Sequence, residues 1–147
     1  MTLKEQDLAF LSAATSGNAE AMDFLEVWRE YVHRIDDLVD EGCEPEALLA
    51  TFAMAIELYS HPFYLKNLVA LRQIARNVTN GYADVVKWEG SKVKWQAEWA
   101  DHYRHIGQEM VLAVASITGG WAGMRHVSET LRTVGWIEHH DKDGRPV

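Results

Sequence analysis

Apolar side chains recur every three to four residues along most of this chain, which is the period of an α-helix. The clearest stripe lies between residues 19 and 41 and contains Phe24, Leu25, Trp28, Tyr31, Val32, Ile35, Leu38 and Val39. After a short helical segment at 4–15, the same spacing predicts helices over 44–59, 63–89, 92–118 and 121–134. Because Val, Ile and Thr are dispersed and do not alternate with polar residues, no strand is predicted. The pattern is typical of an all-α protein.

Glycine and proline positions mark the ends of these helices. Gly42 follows the first long helix as a stop signal, and Pro45 suits the first turn of the next one. Pro62 separates the second long helix from the third. Gly119-Gly120 either interrupts the helix that precedes it or allows close packing there. The segment from Ala47 to Ile56 is nearly all apolar, so we expect it to be deeply buried.

Short loops between long helices favour an antiparallel bundle. The predicted fold is therefore one domain of five or six helices over residues 1–147. Residues 1–17 are expected to form an N-terminal arm, and residues 136–147 a frayed polar tail. A chain of this length buries about two-thirds of its unfolded surface. It needs no disulfide, and its single cysteine, Cys43, cannot form one within the chain.

The charge of the chain restricts its partners. It has 22 acidic and 14 basic residues, a formal net charge of −8, so it repels phosphate backbones and should not bind nucleic acid. No apolar run approaches the roughly 20 residues of a membrane span, and the N-terminus MTLKEQDLAF has no signal-peptide core. We expect a cytoplasmic protein with no membrane contact. A small anionic ligand requires cations that bridge it to carboxylates.

The helix predicted over 19–41 ends in the acidic stretch Asp36-Asp37-Leu38-Val39-Asp40-Glu41. Asp36 and Asp40 are four residues apart, so their like charges share one face and destabilise the helix by roughly 0.2–0.5 kcal/mol. Acids near a helix C-terminus also oppose the helix dipole. A bound divalent cation would relieve both penalties, whereas without one the stretch is a solvated face. Asp36, Asp37 and Asp40 are candidate ligands of Mg²⁺ or Mn²⁺.

A second polar stretch, from Asn77 through Asp84 to Glu89, lies on the helix predicted over 63–89. Two polar helix faces set opposite each other form a cage for hard cations, which prefer oxygen ligands. Asn80 and Asp84 fall about 160° from the centre of the apolar stripe on this helix. A shared site therefore requires a second layer of helices or a dimer. Asp84 is a candidate metal ligand, and Asn80 is a candidate substrate contact.

The segment WREYVHRIDDLVDEG, residues 28–42, resembles the first aspartate-rich motif of the squalene and phytoene synthases, a branch of the class I isoprenoid synthases. The segment VTNGYADVVKWE, residues 78–89, is similar to the second such motif of that family. The resemblance implies a diphosphate-bearing ligand, and it implies metal ligands at Asp36, Asp37, Asp40, Asn80 and Asp84. It is confined to these two segments, and Ala83 replaces the basic residue that precedes the second Asp of the family motif.

In length and architecture the chain resembles the all-α nucleoside triphosphate pyrophosphohydrolases. These are small and often dimeric helical bundles that hold Mg²⁺ with paired acidic motifs. Here a polar stripe on the helix predicted over 19–41 contains Glu26, Glu30, His33, Asp37 and Asp40. Asp84 and Glu89 lie on another helix, although the usual Glu-Glu-x-x-Glu pattern of that family is absent. The resemblance implies a nucleotide substrate and a homodimer.

The helix predicted over 92–118 carries a further polar stripe, which contains Glu98, His102, His105 and Glu109. His and carboxylate ligands suit Zn²⁺, Mn²⁺ or Fe²⁺, and Arg104 beside them is a candidate phosphate contact. The simpler interpretation is a boundary face with satisfied hydrogen bonds. Glu30 and His33 form a Glu-x-x-His pair of the di-iron kind, but the 92–118 helix supplies no second pair of this kind.

These features favour a Mg²⁺- or Mn²⁺-dependent phosphohydrolase of a small diphosphate, with a nucleotide as the expected substrate. The predicted metal ligands are Asp36, Asp37, Asp40, Asp84 and Glu109. The predicted substrate contacts are Asn80 and Arg104, and the base that accepts a proton from the attacking water is His33 or His105. No Ser-His-Asp or Cys-His arrangement for covalent catalysis is supported.

Two other functions stay open at this stage. One is a non-catalytic acidic helical protein that binds another protein, for which we expect an exposed apolar patch involving Trp88, Trp136 or Tyr82. The other is a di-iron carboxylate protein, which would contain iron and absorb visible light when purified.

Overall fold

The structure is a computed structural model that describes residues 3–141, 143 and 145. Within these residues the chain forms seven α-helices: α1 (Leu3–Ala14), α2 (Ala19–Glu41), α3 (Pro45–Tyr59), α4 (Pro62–Lys66), α5 (Leu68–Trp88), α6 (Lys94–Tyr103) and α7 (Gln108–His139). The prediction of an all-α protein is confirmed for this part of the chain, and the predicted number of five or six helices is wrong. No helix among the described residues is long and apolar enough to cross a bilayer.

The predicted helix 92–118 is wrong as a single element, because the chain interrupts it between α6 and α7. Turn hydrogen bonds replace the helical pattern there, and the Gln108 N–H donates to the His105 carbonyl at 2.9 Å. The buried Trp28 of α2 donates from Nε1 to the Gly107 carbonyl at 3.0 Å, so contact with α2 stabilises the interruption. The other additional element is the short helix α4, which begins at Pro62.

Helix α7 doubles back on itself at Gly120. This residue has φ 66° and ψ −163°, a conformation that is open to glycine and costly for other residues. The reversal brings the Gln108 amide to the Leu131 carbonyl at 2.9 Å, although a straight helix would separate these residues by about 35 Å. The predicted break at Gly119-Gly120 is confirmed, and α7 consists of a first arm, 108–119, and a second arm, 121–139.

The main core joins α2, α5 and the first arm of α7. Phe24, Leu25 and Trp28 of α2 belong to the same buried cluster as Leu71 of α5 and Met110 of α7. The apolar stripe predicted over 19–41 is therefore confirmed in its first half, whereas no α2 residue beyond Trp28 is buried. A smaller cluster packs α1 against the two arms of α7.

Helix α3 is less buried than its composition predicts. Of its 15 residues, all of them described, Thr51 and Leu58 are the buried ones. The large side chains Leu48, Leu49, Phe52 and Ile56 are exposed, and these four are termed the apolar face of α3. The expectation of deep burial is wrong because α3 packs mainly against one neighbour, α2, and the next helices leave its other side open.

Helix α5 is continuous through Asn80 and Gly81, as the helical pattern predicts. A Cβ atom at Gly81 would collide with the Ile106 δ-carbon in the turn between α6 and α7. Glycine at this position therefore lets α5 approach that turn closely. The contact fixes the C-terminal half of α5 beside the turn between α6 and α7.

Candidate ligand site between helices α2 and α5

Tyr82 of α5 links the two acidic stretches. Its hydroxyl donates a hydrogen bond to Asp36 Oδ1 of α2 at 2.7 Å. Burial raises the pKa of Tyr82, and the hydrogen bond to Asp36 and the negative charges of Asp36, Asp40 and Glu89 raise it further. Tyr82 thus contacts Asp36 and is near enough to Asp40 and Glu89 for their charges to act on it, and we term these four residues the tyrosine–carboxylate cluster.

The two aspartates of this cluster lie where α2 extends beyond the core. Both are exposed and follow Trp28, the last buried residue of the helix. They are one turn apart in the final turns before Gly42, where the helix dipole is negative. Within the described part of the chain, neither Asp36 nor Asp40 pairs with a lysine or arginine. Their repulsion is therefore relieved only by the tyrosine hydroxyl and by solvent.

An open groove lies beside the cluster, against α5 and the end of α3. It has a volume of about 440 Å³ and is lined by Tyr59, Tyr64, Arg72, Ala75, Arg76, Thr79 and Asn80. This volume is within the range of about 300–1,000 Å³ that is typical of small-molecule sites. The predicted substrate contact Asn80 is one of its lining residues.

Two positive charges face this groove from α5. Arg72 and Arg76 are one turn apart, and neither makes a hydrogen bond or ion pair with another described residue. Both charges act on the Tyr64 hydroxyl and tend to lower its pKa, although burial has the larger effect and leaves that pKa raised. Like charges at this spacing repel each other on a helix, so an anion in the groove would stabilise them.

The groove and the tyrosine–carboxylate cluster lie next to each other along α5. Ala75, Thr79 and Tyr82 are spaced i, i+4, i+7 and share one face of the helix. The first two line the groove, and Tyr82 bonds to Asp36. The basic groove and the tyrosine–carboxylate cluster are therefore neighbours along α5, and we term the two together the α2–α5 groove.

The aromatic wall of the groove connects it to α2. Tyr31 of α2 packs against Tyr59, with ring centroids 6.1 Å apart, and Tyr59 packs against Tyr64 at 5.3 Å. Burial and the neighbouring Tyr31 raise the pKa of Tyr59, which keeps its hydroxyl neutral. Asp36 lies little more than one turn beyond Tyr31 on α2. The aromatic wall and the acidic cluster are thus neighbouring segments of α2.

Other predicted site residues lie apart from this cluster. Asp37 and His33 are exposed on α2, and no hydrogen bond joins either to another described residue. Asp84 is half-buried, about 160° around α5 from Tyr82, and is not among the charges that raise the pKa of Tyr82. Within the described residues, no three His, Cys, Asp or Glu side chains form a group that could hold a metal by themselves. Glu89, the residue that follows α5, is the third carboxylate whose charge acts on Tyr82.

The remaining predicted residues meet at the start of α7. Glu109 accepts a hydrogen bond from Arg132 Nη2 at 2.6 Å, and Arg132 Nη1 donates to Gln108 Oε1 at 3.2 Å. The His105 ring lies 6.4 Å from that of the buried His140. His140 Nε2 bonds to Asp101 Oδ2 at 2.8 Å. We term these six residues the α6–α7 junction: Asp101, His105, Gln108, Glu109, Arg132 and His140.

Arg104 lies between the junction and the cluster. Its Nη2 atom is 3.9 Å from Glu89 Oε1, so this predicted substrate contact is at the edge of the α2–α5 groove. Of the residues that the di-iron hypothesis uses, Glu30 accepts a hydrogen bond from Arg34 at 3.0 Å. In the polar stripe of α6, His102 Nδ1 bonds to the Glu98 carbonyl of its own helix at 2.7 Å.

Sequence reasoning missed the basic half of the groove. Arg72, Arg76 and Asn80 are spaced i, i+4, i+8, so the sequence contains a signal for one polar line along α5 with two positive charges. No comparable signal exists for Tyr59 and Tyr64. Their meeting depends on the turn between α3 and α4, where the His61 imidazole accepts a hydrogen bond from the Phe63 N–H at 3.1 Å.

The apolar patch expected of an interaction protein is not at the predicted residues. Trp88 is half-buried and packs against Trp95 and Trp99, with ring centroids 5.3 Å apart in each pair. Tyr82 belongs to the cluster described above, and the Trp136 side chain lies outside the described residues. Among the described residues, the largest group of exposed apolar side chains on one helix is on α3.

Comparison with known protein families, curated proteins and solved structures finds no match to this chain. We therefore base the function on the α2–α5 groove itself.

Proposed function

We propose that this protein binds a small diphosphate-containing molecule, with a nucleotide as the expected substrate, and hydrolyses it with Mg²⁺ or Mn²⁺. The observation that carries the proposal is the pair of opposite charge clusters, one lining the groove and one next to it along α5. Arg72 and Arg76 at one end, and Asp36 and Asp40 at the other, are like-charged pairs without ionic partners among the described residues. A complex of a divalent cation with a diphosphate would neutralise both pairs together.

The basic half would hold the phosphate groups. Guanidinium groups bind phosphate oxygens through fixed pairs of N–H donors, and Arg72 and Arg76 are available for this purpose. The Asn80 side-chain amide and the Thr79 hydroxyl add neutral hydrogen-bonding groups on the same helix. The tyrosine wall of Tyr59 and Tyr64 provides apolar area for the remainder of the ligand.

The acidic half would hold the cation. Mg²⁺ is commonly bound through one or two carboxylates, several waters and the phosphates of the substrate. Two aspartates are therefore enough, and the absence of a three-residue metal group among the described residues does not oppose this arrangement. Asp36 retains free lone pairs beside its hydrogen bond from Tyr82. Asp37, Asp84 and Glu109, the other ligands that the sequence suggests, lie apart from this cation position and are not required by the arrangement.

A cation in this position would neutralise phosphate charge and make a bound water more acidic. In the hydrolysis the water oxygen attacks phosphorus, the P–O bond to the leaving phosphate breaks, and the water proton passes to a base. His33, one turn before Asp36 and Asp37 on α2, and His105, near Arg104, are the candidate bases. Arg104, beside Glu89, would contact the leaving phosphate.

The first test is thermal unfolding in EDTA, Mg²⁺, Mn²⁺ or Zn²⁺, each with and without inorganic diphosphate. A ligand at about 100 times its dissociation constant adds roughly 2.7 kcal/mol of stability, which raises Tm by several degrees. We expect a rise with Mg²⁺ or Mn²⁺ that grows when diphosphate is added. A Tm that is indifferent to every metal and to diphosphate would contradict the proposal.

Two double variants separate the halves of the groove. Asp36→Asn with Asp40→Asn should remove the response to the metal, and Arg72→Gln with Arg76→Gln should remove the added response to diphosphate. Glu129→Gln and Arg125→Gln, which change exposed residues of the second arm of α7, serve as matched controls. If the groove variants respond as the controls do, the site lies elsewhere. Release of phosphate from nucleoside triphosphates in Mg²⁺ then tests hydrolysis as distinct from binding.

The second candidate is a non-catalytic acidic helical protein that binds another protein. The observation that favours it is the exposed apolar face of α3. This candidate predicts no metal-dependent Tm shift and no phosphate release, so the same experiments distinguish it from the phosphohydrolase.

A further inference from the structure

The apolar face of α3 is the most exposed group of large hydrophobic side chains on any one helix of the described chain. Leu49 is 67 % exposed, Phe52 66 %, Ile56 57 % and Leu48 46 %. At about 100° per residue the four fall within an arc of roughly 100°. The buried Thr51 and Leu58, which mark the packed side of α3, lie roughly 120° away from the centre of that arc.

The packing of a single chain leaves these four side chains uncovered. Scattered exposed apolar residues are normal, but contiguous patches mark interaction sites in soluble proteins. The face is built on a well-formed helix, because the Glu44 carboxylate caps its N-terminus by accepting from the Glu46 and Ala47 N–H groups at 3.2 and 3.1 Å. The helix is therefore a preformed docking element, and it does not have to order when a partner binds.

We propose that two copies of this chain associate through α3, with the two helices antiparallel about a two-fold axis at Phe52. The sequence of the face is complementary to itself in this arrangement. Leu48 of one copy lies opposite Ile56 of the other, and the pair repeats on the other side of the axis. Phe52 meets Phe52 at the centre. Such isologous contacts are the commonest way in which soluble proteins form dimers.

The exposed area is sufficient for a dimer of this kind. The four residues expose roughly 500 Å² per copy, so complete burial of both faces would remove at most about 1,000 Å², the lower limit of a specific interface. A central aromatic with aliphatic neighbours is the composition of an interface core. We therefore expect a reversible dimer with a dissociation constant in the micromolar range.

Negative charge makes the arrangement testable. Glu46 and Glu57 are exposed on one side of the face, about 110° and 130° from its centre at 100° per residue. The antiparallel axis places Glu46 of one copy and Glu57 of the other on the same side of the helix pair, at both of its ends. Each copy also carries a formal net charge of −8. Both features oppose association at low ionic strength, so salt should strengthen this dimer. A basic partner helix would show the opposite salt dependence.

The test is sedimentation equilibrium of the full chain from about 1 to 100 µM, at about 50 and 500 mM salt. We expect a monomer–dimer equilibrium whose dissociation constant falls at the higher salt concentration. Phe52→Lys should raise that constant at least about 30-fold, as loss of a central contact does. Val134→Gln changes an exposed apolar residue on α7 and should leave the constant unchanged. Circular dichroism must show the same helix content for both variants.

Glu57→Lys should have the opposite effect to Phe52→Lys and strengthen the dimer. In an antiparallel pair it puts a positive charge on the side that also carries Glu46 of the second copy, and it changes the formal net charge of each copy by +2, from −8 to −6. The dissociation constant should therefore fall and its salt dependence should weaken. A wild-type chain that is monomeric at 100 µM in both salts would overturn the proposal and leave the face to a different protein. Dimerisation that Phe52→Lys and Glu57→Lys do not alter would also overturn it. Because metal and phosphate are absent throughout, the result is independent of the ligand-binding proposal.

Discussion

At the α6–α7 junction the polar groups bind one another, whereas along the α2–α5 groove charged groups of like sign stand side by side. Glu109 accepts from Arg132 at 2.6 Å and Asp101 bonds to His140 at 2.8 Å. In the groove, Arg72 and Arg76 have no ionic partner among the described residues, and Asp36 accepts only a tyrosine hydroxyl. Both regions contain residues that sequence patterns mark as candidate site residues, but only one has charges left for a ligand.

Paired polar groups, as at the junction, stabilise the fold, whereas like charges side by side, as along the groove, lower its stability. A buried polar group that has its hydrogen bonds contributes to stability, and one that loses its partner pays the full desolvation cost. A like-charged pair on an exposed helix face is slightly unfavourable and persists without harm to the fold. Substitutions in the two regions should therefore change the free energy of unfolding by different amounts and in opposite directions.

The largest expected effect is at the junction. Asp101→Ala removes the carboxylate that bonds to the buried His140. We expect it to lower the free energy of unfolding by about 1–3 kcal/mol, a fall in Tm of roughly 3–10 °C for a chain of this size. The change should leave any metal and diphosphate response intact. A loss below about 0.5 kcal/mol by urea titration would show that the junction does not depend on this pair.

A smaller effect is expected in the cluster, and it depends on pH. Burial and the neighbouring carboxylates raise the pKa of Tyr82 in the folded state. The group is then more easily ionised when unfolded, so its contribution to stability is complete below about pH 10 and is lost as pH rises further. Tyr82→Phe should cost about 0.5–1.5 kcal/mol at neutral pH through the lost hydrogen bond. It should also lessen the fall in Tm between pH 9 and 11, and equal slopes in the two proteins would contradict the Tyr82–Asp36 interaction.

Local periodicity predicted what depends on a single helix. The stripe of Phe24, Leu25 and Trp28 is buried, and α5 runs unbroken through Asn80-Gly81, because both follow from the spacing of residues within one element. The glycine break at 119–120 also follows from local conformation, since Gly120 takes a positive φ. Such features need no knowledge of neighbouring helices.

Features that depend on the number and position of neighbours could not be predicted in this way. An apolar α3 was expected to be buried, but the chain supplies only one main packing partner for it. The meeting of Asp36 with Tyr82 depends on where two helices lie relative to each other. Glu109 and Arg132 meet only because α7 reverses between them. Helix patterns specify which side chains share a face, and packing decides what that face meets.

The smallest expected effects are changes in stability of opposite sign at two arginines, Arg132 of the junction and Arg72 of the groove. Arg132→Gln breaks an ion pair in which both side chains are about half exposed, at 48 % and 45 %, so it should lower stability by about 0.2–1 kcal/mol. Arg72→Gln breaks no pair and relieves repulsion with Arg76, so it should raise stability by roughly 0.2–0.5 kcal/mol. Urea midpoints measured at low salt and at about 0.5 M salt decide the matter, since screening should shrink both differences. If the same substitution is destabilising to the same extent at both positions, Arg72 has a partner within the protein, and the groove has no charge reserved for a ligand.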